Sequence, residues 1–529
     1  MRSRGRGEGL SRRALIGASA AFAAGRALAA TPRPPVASTT AGRVSGQHVG
    51  PVKVFRGVPY GAPTGGAARW RPPAPPTPWR EVLPCTTPGE MCPQVPGAPL
   101  AEEAALLQPG PMGEDCLKLN IYTPEVGRRG RRRAVMVWFH GGGMASGSGS
   151  ALSTDGTSLA RKQDVVVVTV THRLNVHGFL HLGDIYGPAY AQSGNVGMLD
   201  CLAALEWVRD NITEFGGDPR QVMIVGQAGG AAKVSTLMAM PAARGLFHRA
   251  AAHSGAALGA GLRENATANA RRLIAALGVK GLAELQEMPS ERLIEAMTRT
   301  RLQFGPFVDG AVIPADPYSP AGYALSRAVP LILGSTETEA TFFPGTPLDP
   351  IGEAALRRTV QQATRLDERA VEGAIEAFRA AYPGRANHEL AQLMLTQFGI
   401  GLSVTAQSER RLEDGASQTY VYHFAQTTPV REGRLRSPHT LDIPYLFDTL
   451  VPAGVIAGPY TEANQALADR MGRYWANFAR TGDPNGPGLA PWRPFDLTAR
   501  PTLVLDAEPR TVDDPLAATR AVVTALRPA

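Results

Sequence analysis

Val222-Met-Ile-Val-Gly226-Gln-Ala-Gly-Gly230 is the stretch on which the reading of this 529-residue chain turns. Four apolar residues of strand character run straight into small ones. Ala231-Ala-Lys-Val-Ser-Thr-Leu-Met-Ala-Met-Pro241 follows with a helical composition. A strand that turns sharply into a helix through Gly-x-Ser-x-Gly is a nucleophile elbow, and its glycines are needed because side chains would collide in so tight a turn. Here the glycine spacing is kept, but the middle position is Ala228. The sequence therefore predicts the turn and lacks the hydroxyl that the turn would present.

Upstream, Met198, Leu202, Leu205, Val208 and Ile212 recur at helical spacing, which predicts an amphipathic helix over 197–213 that stops at Gly216-Gly217 and Pro219. Ala134–Phe139 and Val165–Val170 are unbroken apolar runs of strand length. Leu331–Leu333, Tyr420–Phe424 and Leu503–Leu505 are further strand candidates, with helical patterns at 267–276, 353–382 and 460–480. Buried strands alternating with helices predict an α/β fold, a central and mostly parallel sheet flanked by helices. Residues 43–60 read as short antiparallel strands. The proline-rich stretch 69–79 cannot be a central strand or a helix. Residues 256–330 are expected to form a helical cap over the site.

Composition is that of a globular chain, with 19% charged and 44% hydrophobic residues. Of the net charge of +8, residues 1–29 supply +5 through six arginines and one glutamate, and the remaining +3 gives no argument for nucleic acid or a membrane surface. The run Arg128 to Arg133 reads as a solvated loop ahead of a strand. Ser11-Arg-Arg-Ala-Leu15, a weakly apolar run to Gly25 and the small-x-small Ala27-Leu-Ala29 form a twin-arginine leader. The expectation is a signal peptide over 1–29, export to the periplasm or medium, and one domain over 30–529 with no membrane attachment once the leader is gone. Nothing in the sequence speaks to oligomeric state. Export permits disulfides, and Cys85, Cys92, Cys116 and Cys201 allow three full pairings. Cys201 falls in a helical pattern and reads as a buried thiol. The cysteine spacing matches no zinc site.

Around the elbow the parts of an acyl-transfer site follow in order. His140-Gly-Gly-Gly143 ends a buried strand, and side-chain-free backbone would let the N–H groups of Gly142, Gly143 and Gly229 face one oxygen. A phosphate loop is the competing reading of such glycines, but its glycine and lysine spacing is absent. Glu339, just past Leu331–Leu333, is the candidate carboxylate, with Glu337 as its local competitor. His439 is the candidate base, in the loop after Tyr420–Phe424. The order 228, 339, 439 is nucleophile position, acid, histidine. No other Gly-x-Ser-x-Gly occurs, and Ser235 lies about two helical turns past Ala228, too far to substitute.

With these parts go Phe55-Arg-Gly-Val-Pro-Tyr60, Glu114-Asp-Cys-Leu-Lys-Leu-Asn120, Phe215-Gly-Gly-Asp-Pro219, Gly245-Leu-Phe-His-Arg-Ala250, Ser254-Gly255 and Phe307-Val-Asp-Gly310. In these motifs the chain resembles the type-B carboxylesterases, the family that also holds the cholinesterases and para-nitrobenzyl esterases. The resemblance implies an α/β-hydrolase fold with a deep gorge, a small-molecule carboxylic ester as partner, no metal or organic cofactor, and a disulfide between Cys92 and Cys116. Met144, Phe304, Phe307, Phe342 and Phe343 are candidates for an apolar acyl pocket. The chain departs from the family where G-E-S-A-G-G or G-Q-S-G-G-G becomes Gly226-Gln-Ala-Gly-Gly-Ala231. Alanine forms no acyl-enzyme, and loss of the attacking serine alone costs about a million-fold in a comparable triad. The expectation is strongly impaired ester hydrolysis, with His439 and Glu339 acting on water. The alternative is an ester- or partner-binding protein without turnover.

Overall fold

The apolar runs become the middle of an eleven-stranded sheet in a computed structural model that describes residues 33–95, 110–255, 259–413, 415–416 and 418–526. In chain order its strands are β1 (Gln47–Val49), β2 (Val52–Pro59), β3 (Lys118–Thr123), β4 (Arg133–Phe139), β5 (Val166–Val170), β6 (Gly217–Gln227), β7 (Arg249–His253), β8 (Leu331–Thr336), β9 (Thr419–Phe424), β10 (Pro501–Leu505) and β11 (Arg510–Asp513). Their spatial order is β11-β10-β9-β8-β7-β6-β4-β5-β3-β2-β1. From β10 to β5 every neighbouring pair is parallel, and the antiparallel pairs stand at the two ends. Val36–Ser38, Arg43–Ser45 and Leu83–Pro84 make a small separate sheet.

Both faces of the parallel strands are covered, which is why their sequences are apolar without alternation. Val135, Val137 and Phe139 of β4 pack on one side with Val222 and Ile224 of β6, against Met198, Leu205 and Val208 of α1 (Val196–Asn211) and Val234 and Leu237 of α2 (Gly229–Met238). Ala134, Met136 and Trp138 face the other way with Met223 and Val225. They meet Tyr445 and Phe447 of α4 (Asp442–Phe447) and Met471, Tyr474 and Trp475 of α5 (Glu462–Thr481). A third apolar cluster lies among helices Glu353–Thr364, Glu368–Ala381 and Asn387–Thr396. α3 (Leu402–Glu413) follows them.

Pro35–Ala529 form one compact unit. The leader expected over 1–29 lies outside the described residues. Residues 69–79 are irregular, and the helical pattern at 353–382 is two helices broken around Arg365, which adopts φ 58°. The stretch expected as a cap does contain helices, Arg263–Leu277, Leu282–Glu287 and Ser290–Arg299. They join the α1 side of the core, however, and none of the described residues from 259 to 330 lines the cavity at the elbow. The bridge expected between Cys92 and Cys116 is not formed: the two are buried thiols in hydrogen-bond contact, and Cys92 Sγ also accepts the N–H of Leu174 at 3.2 Å. Cys85 and Cys201 are buried thiols as well, and burial pushes the Cys85 thiol up to about 12.

Candidate active site

β6 ends and α2 begins at a single residue. Ala228 has φ 53° and ψ −120°, a backbone that L-residues avoid and that costs about 1–3 kcal/mol. Its surroundings impose the turn. A Cβ on Gly226 would stand 2.3 Å from the Gly230 carbonyl, one on Gly229 would stand 2.2 Å from Gly143 O, and one on Gly230 would stand 2.0 Å from Phe139 O. The Ala228 N–H donates to His253 O at 2.9 Å, and Ala228 O accepts from Ala232 N at 3.0 Å to start the helix. Ala231, where the family usually has a further glycine, is fully buried and leaves the helix start at Gly229.

In the sheet Phe139 is the register partner of Gly226, so the glycine loop after β4 leaves the sheet beside the elbow. Gly142 and Gly143 both take positive φ, 79° and 63°. His140 Nδ1–H donates to Gly141 O at 2.9 Å, and the N–H groups of Ala145 and Ser146 donate to Gly142 O at 3.2 and 3.0 Å. Because N–H and C=O point opposite ways in a trans peptide, these bonds also fix where the Gly142 and Gly143 N–H groups point. Gly142, Gly143 and Gly229 all line one cavity of about 540 Å³ together with Ala228 and His439.

The carboxylate and the histidine meet as the sequence order requires. Glu339 is buried at the end of β8; one oxygen accepts the Thr336 N–H at 2.7 Å and the other receives Nδ1–H of His439. Glu337 is instead ion-paired with Arg436 at 3.2 Å. His439 stands among the rings of Phe342 and Phe343, with centroids 5.8 and 5.0 Å away. These two phenylalanines do line the cavity, with Trp138, Ile400 and Ile443. Phe304, Phe307 and Met144 do not: Phe304 is in the core, Phe307 packs on His181, and Met144 lies against the core beside Gly305. Ser235 is buried away from the cavity, with its hydroxyl accepting from Gln407 at 3.3 Å.

Two residues that motif reading passes over complete the arrangement. The carboxamide nitrogen of Gln227 stands 3.0 Å from Nε2 and 3.4 Å from Nδ1 of His439, so it lies against the face of the imidazole and not in line with the Nε2 lone pair. Lys233 is fully buried beneath the glycine loop and donates to His140 O at 3.0 Å and Gly143 O at 3.1 Å. Burial pushes its amine down to about 8. Burial, reinforced by Lys233, likewise pulls His140 down to about 3, and His140 stacks on the equally buried His172 with centroids 4.8 Å apart. A lysine inside the otherwise uncharged run Ala231–Met240 was the one sequence signal for this feature; nothing local marked the reach of Gln227. Chemically, the cavity offers N–H donors to a carbonyl oxygen and an imidazole oriented by a carboxylate, with a methyl group at the tip of the turn.

The chain has counterparts along most of its length. A family model described as the carboxylesterase family matches residues 33–523. Carboxylesterase 1E of Rattus norvegicus is 33% identical over 513 residues, covering 87% of this chain and 88% of its own. The para-nitrobenzyl esterase of Bacillus subtilis is 30% identical over 494 residues, covering 91% and 96%. Among solved structures, carboxylesterase EST55 of Geobacillus stearothermophilus superposes with a TM-score of 0.79 at 34% identity, over 92% of this chain and 99% of that one. Agreement of this extent in both sequence and backbone places the chain in the carboxylesterase family, with its α/β-hydrolase fold.

Proposed function

We propose that this chain binds small carboxylic esters in the cavity at the elbow and polarises their carbonyl, while hydrolysis is strongly impaired because no side chain can form the acyl bond. One observation carries this reading: a methyl group stands at the tip of a strained turn, at Ala228, beside a histidine already paired with a carboxylate. In this reading the ester oxygen takes the N–H groups of Gly142, Gly143 and Gly229, and Glu339 keeps His439 in the tautomer with its proton on Nδ1. Water replaces the hydroxyl poorly, because nothing at position 228 tethers it against the acyl carbon. That loss of proximity favours binding without turnover over slow water-driven hydrolysis. The leader read over 1–29 assigns the chain to the periplasm or the medium.

Reversion tests the proposal. Ala228→Ser is expected to raise p-nitrophenyl acetate hydrolysis by about a million-fold and to make the protein react stoichiometrically with a fluorophosphonate. The unaltered chain should form no adduct, and its residual turnover should be unchanged by His439→Ala. A covalent adduct on the unaltered chain, or a correctly folded Ala228→Ser variant with no gain, would overturn it.

A further inference from the structure

We propose that Lys233 is the positioning residue of the glycine loop, its buried ammonium tying both ends of His140–Gly143 to α2 so that the Gly142 and Gly143 N–H groups stay aimed into the cavity. This rests on the reading of that loop as the carbonyl-binding element. Each of the four carbonyls of the loop has a donor. Gly141 O is taken by the His140 ring, and Gly142 O by the N–H groups of Ala145 and Ser146. The two outer carbonyls, His140 O and Gly143 O, are both taken by Lys233 at 3.0 and 3.1 Å. The inner bonds are made within the loop itself and fix only its internal shape. Lys233 is the bond from outside, joining that shape to the helix whose first N–H is Gly229.

The loop needs such a tie. Glycine populates positive and negative φ with similar ease, so consecutive glycines resist peptide rotation poorly unless the carbonyls are anchored. A lysine is an expensive anchor, since ammonium groups are almost never fully buried without a partner. No carboxylate among the described residues forms an ion pair with it; the charge is met by backbone dipoles alone. Those two carbonyls belong to the peptides whose N–H groups are those of Gly141 and Met144, so Lys233 holds the two peptides that bracket the Gly142 and Gly143 N–H groups. With both bracketing peptides pinned from α2, the inner pair is held in place relative to Gly229.

Two measurements decide it. On the unaltered chain, hydrogen exchange of the peptide spanning 140–147 is compared between the parent and Lys233→Met, which removes the donor and keeps the length. Exchange in that peptide should quicken by about ten-fold or more, while the peptide spanning 222–227 is unchanged. In the Ala228→Ser background, Lys233→Met should lower kcat on p-nitrophenyl butyrate by about 100-fold with KM moved less than about three-fold, and weaken a trifluoromethyl ketone in proportion. Lys233→Gln, which restores an N–H donor, should recover part of both, and it carries the same comparison if the Met variant does not fold. Unchanged exchange at 140–147 in a folded variant overturns the proposal whatever the activity. Equal loss in kcat and in ground-state affinity overturns it as well, because a merely structural lysine predicts that. If Ala228→Ser is itself inactive, the reading of the site fails, and the exchange result still judges Lys233.

Discussion

Two histidine–carboxylate pairs flank the elbow, and only one of them faces a cavity. His439 donates Nδ1–H to Glu339 and lines the cavity with the Gln227 carboxamide against its ring. His253, at the end of the adjacent β7, pairs through Nδ1 with Asp442 at 2.8 Å. Its other nitrogen accepts the indole N–H of Trp475 at 2.9 Å, and Tyr422 donates to the same Asp442 oxygen at 2.8 Å. Both members of that second pair are fully buried. Burial pushes the Asp442 carboxyl up, but the bonds from His253 and Tyr422 outweigh it and hold it below the usual range. Both imidazoles donate Nδ1–H to a buried carboxylate. What differs is access: one ring can meet a reactant and the other can only brace β7, whose His253 carbonyl holds the Ala228 N–H. The second pair fixes the turn, and the first would use what the turn presents.

That contrast can be broken by restoring the missing atom. In Ala228→Ser, with the gain of about a million-fold stated above, Glu339→Gln should remove about ten-thousand-fold of kcat per folded molecule, whatever it costs in stability. Stopped assays and calorimetry on one preparation read both. Asp442→Asn should do the reverse: breaking a buried pair costs about 3–5 kcal/mol of stability, read by urea denaturation, with kcat per folded molecule within about five-fold of the parent. A large kcat loss in Asp442→Asn at full folding would erase the distinction between the pairs. Trp475→Phe leaves His253 Nε2 without its donor and should cost about 1–3 kcal/mol, again without a specific loss of turnover.

The smallest expected effect concerns histidines with no carboxylate at all. His140 and His172 stay neutral in the folded chain, with His140 held down to about 3 and His172 well below its ordinary value by burial. In the unfolded chain they titrate near 6.5. Between those limits the unfolded state binds more protons, so stability should fall as pH drops from about 7 toward 4. His172→Gln should flatten that slope, measured as urea midpoints across pH. A slope unchanged by the substitution would show that other groups set it.

The sheet was legible because its strands are buried on both faces, and unbroken valine and isoleucine runs mark such strands without ambiguity. β7 was not, since its centre is Ala250, Ala251 and Ala252, and alanine has no strand signature. β3 begins inside the Glu114–Asn120 motif, and its polar Lys118 and Asn120 interrupt any apolar run. The elbow, the glycine loop and the pairing of Glu339 with His439 followed from residue order, because the turn chemistry demands those residue types. The roles of Gln227 and Lys233 did not. A glutamine next to the elbow and a lysine on a helix both read as ordinary until the fold places the amide against an imidazole and the ammonium under two carbonyls. The aromatic lining was half right, because Phe342 and Phe343 follow β8 directly, whereas the path of the stretch holding Phe304 and Phe307 depends on contacts far away in sequence.

The left-handed backbone at residue 228 is enforced by close-packed glycines and by a neighbour's carbonyl, not by the side chain it carries. The corner is thus a mounting point, indifferent to its cargo, that thrusts any small group into the chamber beside an oriented imidazole. A thiol or a selenol installed there would arrive in the same pose as an alcohol, so the molecule is a ready host for comparing nucleophiles on one unchanging frame.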